Sequence, residues 1–152
     1  MEFDKAIANF RKKVDLKTTQ VFQKACNQVS MKIANETGVS TGRLLGQWAP
    51  SAGTSTKYAY TGGPSAWQGG VKDEGVADSN KNRAMADLNP RINAVTAILK
   101  KTEPYYFTND TPYVKQAEHD GWEVRGPYNM REKGRQAFVG IVNNIISELK
   151  NG

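Results

Sequence analysis

Residues 105–122 read YYFTNDTPYVKQAEHDGW, and this stretch decides whether the chain is all-helical or also carries a sheet. Tyr105 to Thr108 is aromatic and β-branched, follows Pro104 and ends at the turn-forming pair Asn109-Asp110, so it is expected to be a strand. Upstream, from Gly46 to Ser79, Gly, Ser and Thr alternate with Trp48, Tyr58, Tyr60 and Trp67, and helical periodicity is lost. Two or three short strands are expected there, with QWAP (47–50) and KYAY (57–60) as the strand pieces. Gly62 to Asn80, with its GGPS, QGG and DEG runs, reads as a long Gly/Ser-rich loop or arm, a kind of segment that is usually functional or disordered.

Outward from this region the pattern becomes helical. Phe3, Ile7, Phe10 and Val14 recur at spacings of four and three, and Val21, Phe22, Ala25, Val29 and Ile33 resume the stripe after polar Lys17 to Gln20. This predicts an amphipathic first helix, kinked or broken near Asp15 to Thr18. Thr37-Gly38 is expected to end it, the glycine taking a left-handed conformation. Its stripe covers either its own domain or a neighbouring subunit. Ser79 or Asn80 is placed to cap a short helix carrying Ala84, Met85 and Leu88, which Asn89-Pro90 interrupts. INAVTAIL (92–99) is ambiguous between helix and strand. Asn129 and Glu132 have the spacing of a capping box for a last helix, with Phe138, Ile141, Val142, Ile145 and Leu149 on one face. Gly134 and Gly140 weaken that helix unless something packs closely on them. The expectation is one α+β domain over 1–152: a long N-terminal helix (1–37) and a C-terminal helix packed on a small, mainly antiparallel sheet. Strands and the extended loop fall in 46–80, and a strand, a corner and the last helix in 104–152.

At 152 residues the chain suits one domain with a single core. Its formal charge of +6 and pI near 9.4 favour acidic partners, and a mean hydropathy of −0.63 points to a modest core. Cys26 is the lone cysteine, so no internal disulfide forms. No run approaches the roughly 20 apolar residues that span a bilayer, and the charged N-terminus is unlike a secretory signal. Cytoplasmic maturation is the expectation, with no membrane partner.

The chain's one histidine, His119, stands between Glu118 and Asp120. Consecutive residues diverge in direction on a strand or a helix, so the triplet does not make a converging site. No HExxH or CxxC spacing, phosphate-cradling loop, dinucleotide fingerprint or nucleophile elbow is present. No catalytic residue, cofactor or metal is expected. The basic residues are dispersed: Arg11-Lys12-Lys13, Lys100-Lys101, then Arg131, Lys133 and Arg135. Arg131 and Arg135 share a helix face that suits phosphate, or pair with a surface acid such as Glu132.

The order of several short motifs carries a resemblance. TGRLLGQW (41–48) follows the first helix; then come YYFTNDTPYVKQAE (105–118), Gly121-Trp122, Pro127 and Met130 at the mouth of the last helix. This order resembles the tail-completion or neck proteins of tailed double-stranded DNA bacteriophages, also described as minor tail or head-tail joining proteins. In their pattern Phe107, Thr108 and Asn109 match the strand end, Pro112-Tyr113 a proline-tyrosine pair, Glu118 a glutamate, and Gly121, Pro127 and Met130 the final turn. His119-Asp120 departs from it as an insertion, and Tyr128-Asn129 replaces a shorter glycine turn.

The resemblance implies a structural virion protein at the top of the tail, forming a homo-oligomeric ring, expected to be a hexamer, assembled in the host cytoplasm. Its partners would be neighbouring connector, tail-terminator or tail-tube proteins and double-stranded DNA passing without sequence specificity. Tyr58, Tyr60, Trp67, Glu118, His119 and Trp122 are then the candidate partner interface, with Glu118 to Trp122 as an exposed corner. Arg131, Lys133 and Arg135 are the candidate DNA-channel residues. A basic DNA-binding accessory protein and a head-closure or tail-terminator protein are the alternatives.

Overall fold

The computed structural model describes residues 2–38, 42–62, 74–121 and 127–151. Four α-helices, a two-stranded sheet and one π-helical turn follow in the order α1 (Glu2–Asn35), α2 (Arg43–Gly46), β1 (Ala49–Ala52), α3 (Glu74–Ala97), β2 (Tyr105–Thr108), the π turn (Gln116–Asp120) and α4 (Met130–Asn151). The fold is a mostly helical α+β arrangement in which the long first and last helices pack together beside a small antiparallel sheet.

β2 forms where the aromatic run predicts it. Its partner β1 takes up Ala49-Pro50 of the expected QWAP strand and continues to Ala52, with Ala49 opposite Thr108 and Ala52 opposite Tyr105. Pro50 is tolerated because a two-stranded sheet has only edges, where a missing N–H is not needed. The second expected strand, KYAY, is not one: residues 55–61 lie outside any ladder. Trp48 and Phe107 stack with centroids 4.8 Å apart, which ties the sheet to the core.

α1 is continuous where a break near Asp15 to Thr18 was expected; the Thr18 hydroxyl donates back to the Val14 carbonyl at 2.9 Å, an option open to threonine inside a helix. Its end is set by Thr37, whose hydroxyl donates to Ile33 O at 2.9 Å and accepts the Trp48 indole N–H at 3.0 Å. Gly38 is not in the left-handed region. Its lack of a side chain serves a different purpose: a Cβ there would collide with the Tyr128 ring.

α3 is one helix from Glu74 to Ala97. Ser79 and Asn80 are therefore interior residues and not caps, INAVTA belongs to the helix, and Pro90 does not interrupt it. A proline costs a helix interior about 3 kcal/mol. Leu88 and Ile92, on either side of Pro90, are fully buried, and burial of such side chains is worth about 1.5–3 kcal/mol each. Packing therefore outweighs the local penalty.

The core gathers Ile33 and Ala34 of α1, Leu44 and Leu45 of α2, Trp48, Ala84, Leu88 and Ile92 of α3, Ala117 of the π turn and Met130 of α4. The start of α4 lies against the end of α1: a Cβ on Gly134 would sit 2.6 Å from Ile33 Cγ1, and Lys133 Nζ reaches Glu36 at 3.1 Å. From there the two helices pack side by side and antiparallel. Gly134 is thus the close contact its sequence position called for, whereas Gly140 has open space around it.

Candidate partner interface

The corner between β2 and α4 is built from three local devices. Asn109 turns the chain after β2, its Oδ1 accepting from the Thr111 backbone N–H at 3.0 Å while its side-chain amide donates to Leu44 O at 2.8 Å. The segment then winds into the π turn, closed by Gly121 N–H donating to Gln116 O at 2.7 Å. Such wide turns are rare, because their bonds span one residue more than those of an α-helix. Gly121, at φ 67, carries the chain out in a conformation that favours glycine.

Within this turn the three polar neighbours separate, as their spacing predicts. His119 and Asp120 are exposed, while Glu118 points inward and is buried. This corrects the expectation of Glu118 on an exposed corner. Its carboxylate accepts from Arg131 N–H at 3.0 and 3.1 Å through its two oxygens, and from Glu132 N–H at 3.2 Å. These are the unpaired donors of the first turn of α4, so Glu118 caps that helix from 13 residues away. The negative charge also meets the positive end of the helix dipole.

The expected capping box between Asn129 and Glu132 is accordingly absent. Asn129 sits at φ 48, and its N–H donates to Glu118 O at 3.2 Å. Glu132 turns outward, accepting from Arg135 Nε at 2.9 Å. The same guanidinium holds the Glu132 carboxyl below the ordinary carboxylate range. Tyr128 N–H donates to Ala117 O at 2.8 Å and completes the clamp between the π turn and α4.

Of the three residues expected to face DNA, two are engaged within the chain. Arg135 pairs with Glu132, and Lys133 pairs with Glu36. Lys32 also reaches Glu36, at 2.7 Å, and the two lysines together lower its pKa. Arg131 is exposed on the first turn.

Tyr58 and Tyr60 do not project from an arm. The Arg91 guanidinium lies 3.4 Å over the Tyr58 ring centroid, and the Tyr58 hydroxyl donates to Asp87 at 3.3 Å. Tyr60 covers Gly46 so closely that no Cβ would fit there, and its N–H donates to Gln47 Oε1. Arg91 organises this region: it donates to Trp48 O at 2.7 Å, Gly46 O at 2.8 Å and Asp87 Oδ2 at 3.1 Å. The sequence signal for it was the i,i+4 spacing of Asp87 and Arg91, which marks a helix-surface ion pair and not a pin for a distant loop. Trp67 and Trp122 lie outside the described residues, as does most of the expected loop from Gly62 to Asn80, whose last part is helical.

Among the described residues no group of three His, Cys, Asp or Glu side chains is placed to hold a metal ion, and no helix is long and apolar enough to cross a membrane. Cys26 is half-buried in α1, and burial pushes its thiol up to about 11. No protein family, curated protein or solved structure matches the chain.

Proposed function

We propose that this chain is a structural protein of the neck of a tailed double-stranded DNA bacteriophage, a tail-completion or head-tail joining component that assembles as a ring at the top of the tail. One observation carries the reading. The motif segments that resemble this family are far apart in sequence, yet their described residues meet in one structural unit: Leu44, Leu45 and Trp48 from the first, Phe107 from the second, Ala117 beside Glu118, and Met130. Glu118, the motif's acid, joins the corner to α4. The His119-Asp120 departure lies within the π turn, whose wider bonding takes up added length without displacing the capping carboxylate.

In this reading the chain supplies a scaffold and no chemistry, and its partners are further copies of itself, adjoining connector and tail proteins, and DNA in transit. Arg131 is the residue best placed to meet passing phosphate, because Lys133 and Arg135 already have carboxylate partners. Antibody labelling of purified virions under the electron microscope tests the assignment. Label confined to the head-tail junction is the expected result; its absence from virions whose genome encodes this chain would remove the reading. A basic accessory protein would instead bind duplex DNA with an affinity falling steeply with salt.

A further inference from the structure

α1 has 34 residues and α4 has 22, so at 1.5 Å per residue they run about 51 and 33 Å. Because α4 begins against Ile33 and Val29 and runs antiparallel, it ends near the middle of α1. Between Asp4 and Thr18 every side chain that the structure describes is exposed. This overhang is nevertheless amphipathic. Ile7, Phe10 and Val14 continue the line of Val21, Ala25 and Val29, the last of which lies against Gly134 of α4, yet Phe10 is 68% exposed and Val14 46%. Lys5 and Lys12 fall on the opposite side of the helix, and Asp4 lies one turn before Ile7 on the apolar line.

A second apolar line is left uncovered on α4. Val139 is 67% exposed and Ile146 37%, with Phe138 beside them at 49%. Lys150 follows Ile146 by four residues on the same line and is exposed. Read in opposite directions, the two lines match: Asp4, Ile7 and Val14 on α1 fall opposite Lys150, Ile146 and Val139 on α4. A straight α1 cannot make this match within one chain, because its own α4 stops where the overhang begins.

We propose that the α1 overhang docks antiparallel on the outer apolar line of α4 in a second copy of this chain. Ile7 packs on Ile146, Val14 on Val139, and Asp4 pairs with Lys150. The contact is head-to-tail, since each copy contributes a different surface to each of two neighbours, and repetition closes a ring or extends a filament. This inference deepens the ring reading above and rests on it for the closure of the assembly, although the contact itself is measurable on the purified chain.

Sedimentation velocity of the full chain, from micromolar to sub-millimolar concentration, tests it with two double variants. One is Phe10→Glu with Val14→Glu, and the other is Val139→Glu with Ile146→Glu; all four positions are exposed, so circular dichroism should show unchanged helicity. Wild-type chain is expected to associate, each variant to remain monomeric alone, and an equimolar mixture of the two to form one-to-one dimers through the single intact contact. In a second pair, Asp4→Lys and Lys150→Asp are each expected to weaken association about tenfold, and the doubly swapped chain to recover it. Wild-type chain that stays monomeric, variants that associate like wild type, or a mixture that stays monomeric would each overturn the proposal. If association fails while label still marks the head-tail junction, the contact is wrong and the neck reading stands. If association holds and virions carry no label, the neck reading falls alone.

Discussion

The two halves of α1 share one helix and one apolar rhythm, but only one half is covered. From Val21 to Ala34 the helix is flanked by α4 on one side and by α3 and β2 on the other: Gln23 donates to Leu99 O, Asn27 to Asn93 and Thr96, and the Ser30 and Tyr105 hydroxyls are 2.6 Å apart. From Asp4 to Thr18 the one long-range side-chain hydrogen bond or ion pair among the described residues is the exposed Lys101–Asp15 pair. The difference teaches that periodicity identifies a stripe without identifying its cover, which depends on the lengths of other elements.

The largest expected effect breaks the comparison outright. Ile33→Ala, in the covered half, should lower the unfolding free energy by about 2–5 kcal/mol, whereas Phe10→Ala should change it by no more than about 0.5 kcal/mol in dilute monomer. Urea denaturation of both variants checks this, and equal losses would mean the outer half is packed in solution. Next comes the join that fixes where α4 starts along α1. Glu118→Ala should cost about 2 kcal/mol, the range for a charged group bonded to helix donors, with faster amide exchange at Arg131 and Glu132. Glu132→Ala should cost clearly less, as the loss of a solvent-screened surface pair; the reverse order would restore the local capping box.

Alkaline pH sharpens the contrast further, because the sensitive groups sit on or against the covered half. Burial raises the Tyr105 hydroxyl from 10.0 to about 12, and the Cys26 thiol from 9.0 to about 11. Both groups ionise more readily in the unfolded chain, so their contributions are complete below the unfolded pKa values and disappear as pH rises through the folded ones. Stability should therefore fall from pH 9 to 12, and Tyr105→Phe should flatten the upper part of that fall. An unchanged profile would show that Tyr105 ionises freely. The smallest effect belongs to Glu36, whose lowered pKa makes its contribution present above the ordinary carboxylate range and lost in acid. Lys133→Met should reduce stability at neutral pH by about 0.2–1 kcal/mol and have little effect once Glu36 is protonated, as acid titration of unfolding would show.

What was legible in the sequence follows the range of the interaction. β2 was readable because aromatic residues, a proline and an Asn-Asp turn are all local signals, and the first and last helices were readable from their stripes. α3 was misread at Pro90 because the packing of Leu88 and Ile92 that overrides the proline is tertiary. The start of α4 was placed correctly for the wrong reason: Asn129 and Glu132 have capping-box spacing, but the carboxylate that serves the helix is Glu118, which local spacing does not connect to it. Tyr58 and Tyr60 looked like free aromatics because nothing near them in sequence announces Arg91 and Gly46 as their neighbours.

The clamp at the corner makes the π turn and the start of α4 one cooperative unit. Glu118 is bonded to the first turn of α4, and the Ala117 and Glu118 carbonyls hold Tyr128 and Asn129. Opening either partner breaks the bonds of both, so the two should come apart in a single step and not one after the other. Because the start of α4 also lies against Ile33, strain on the π turn is passed through that helix to α1.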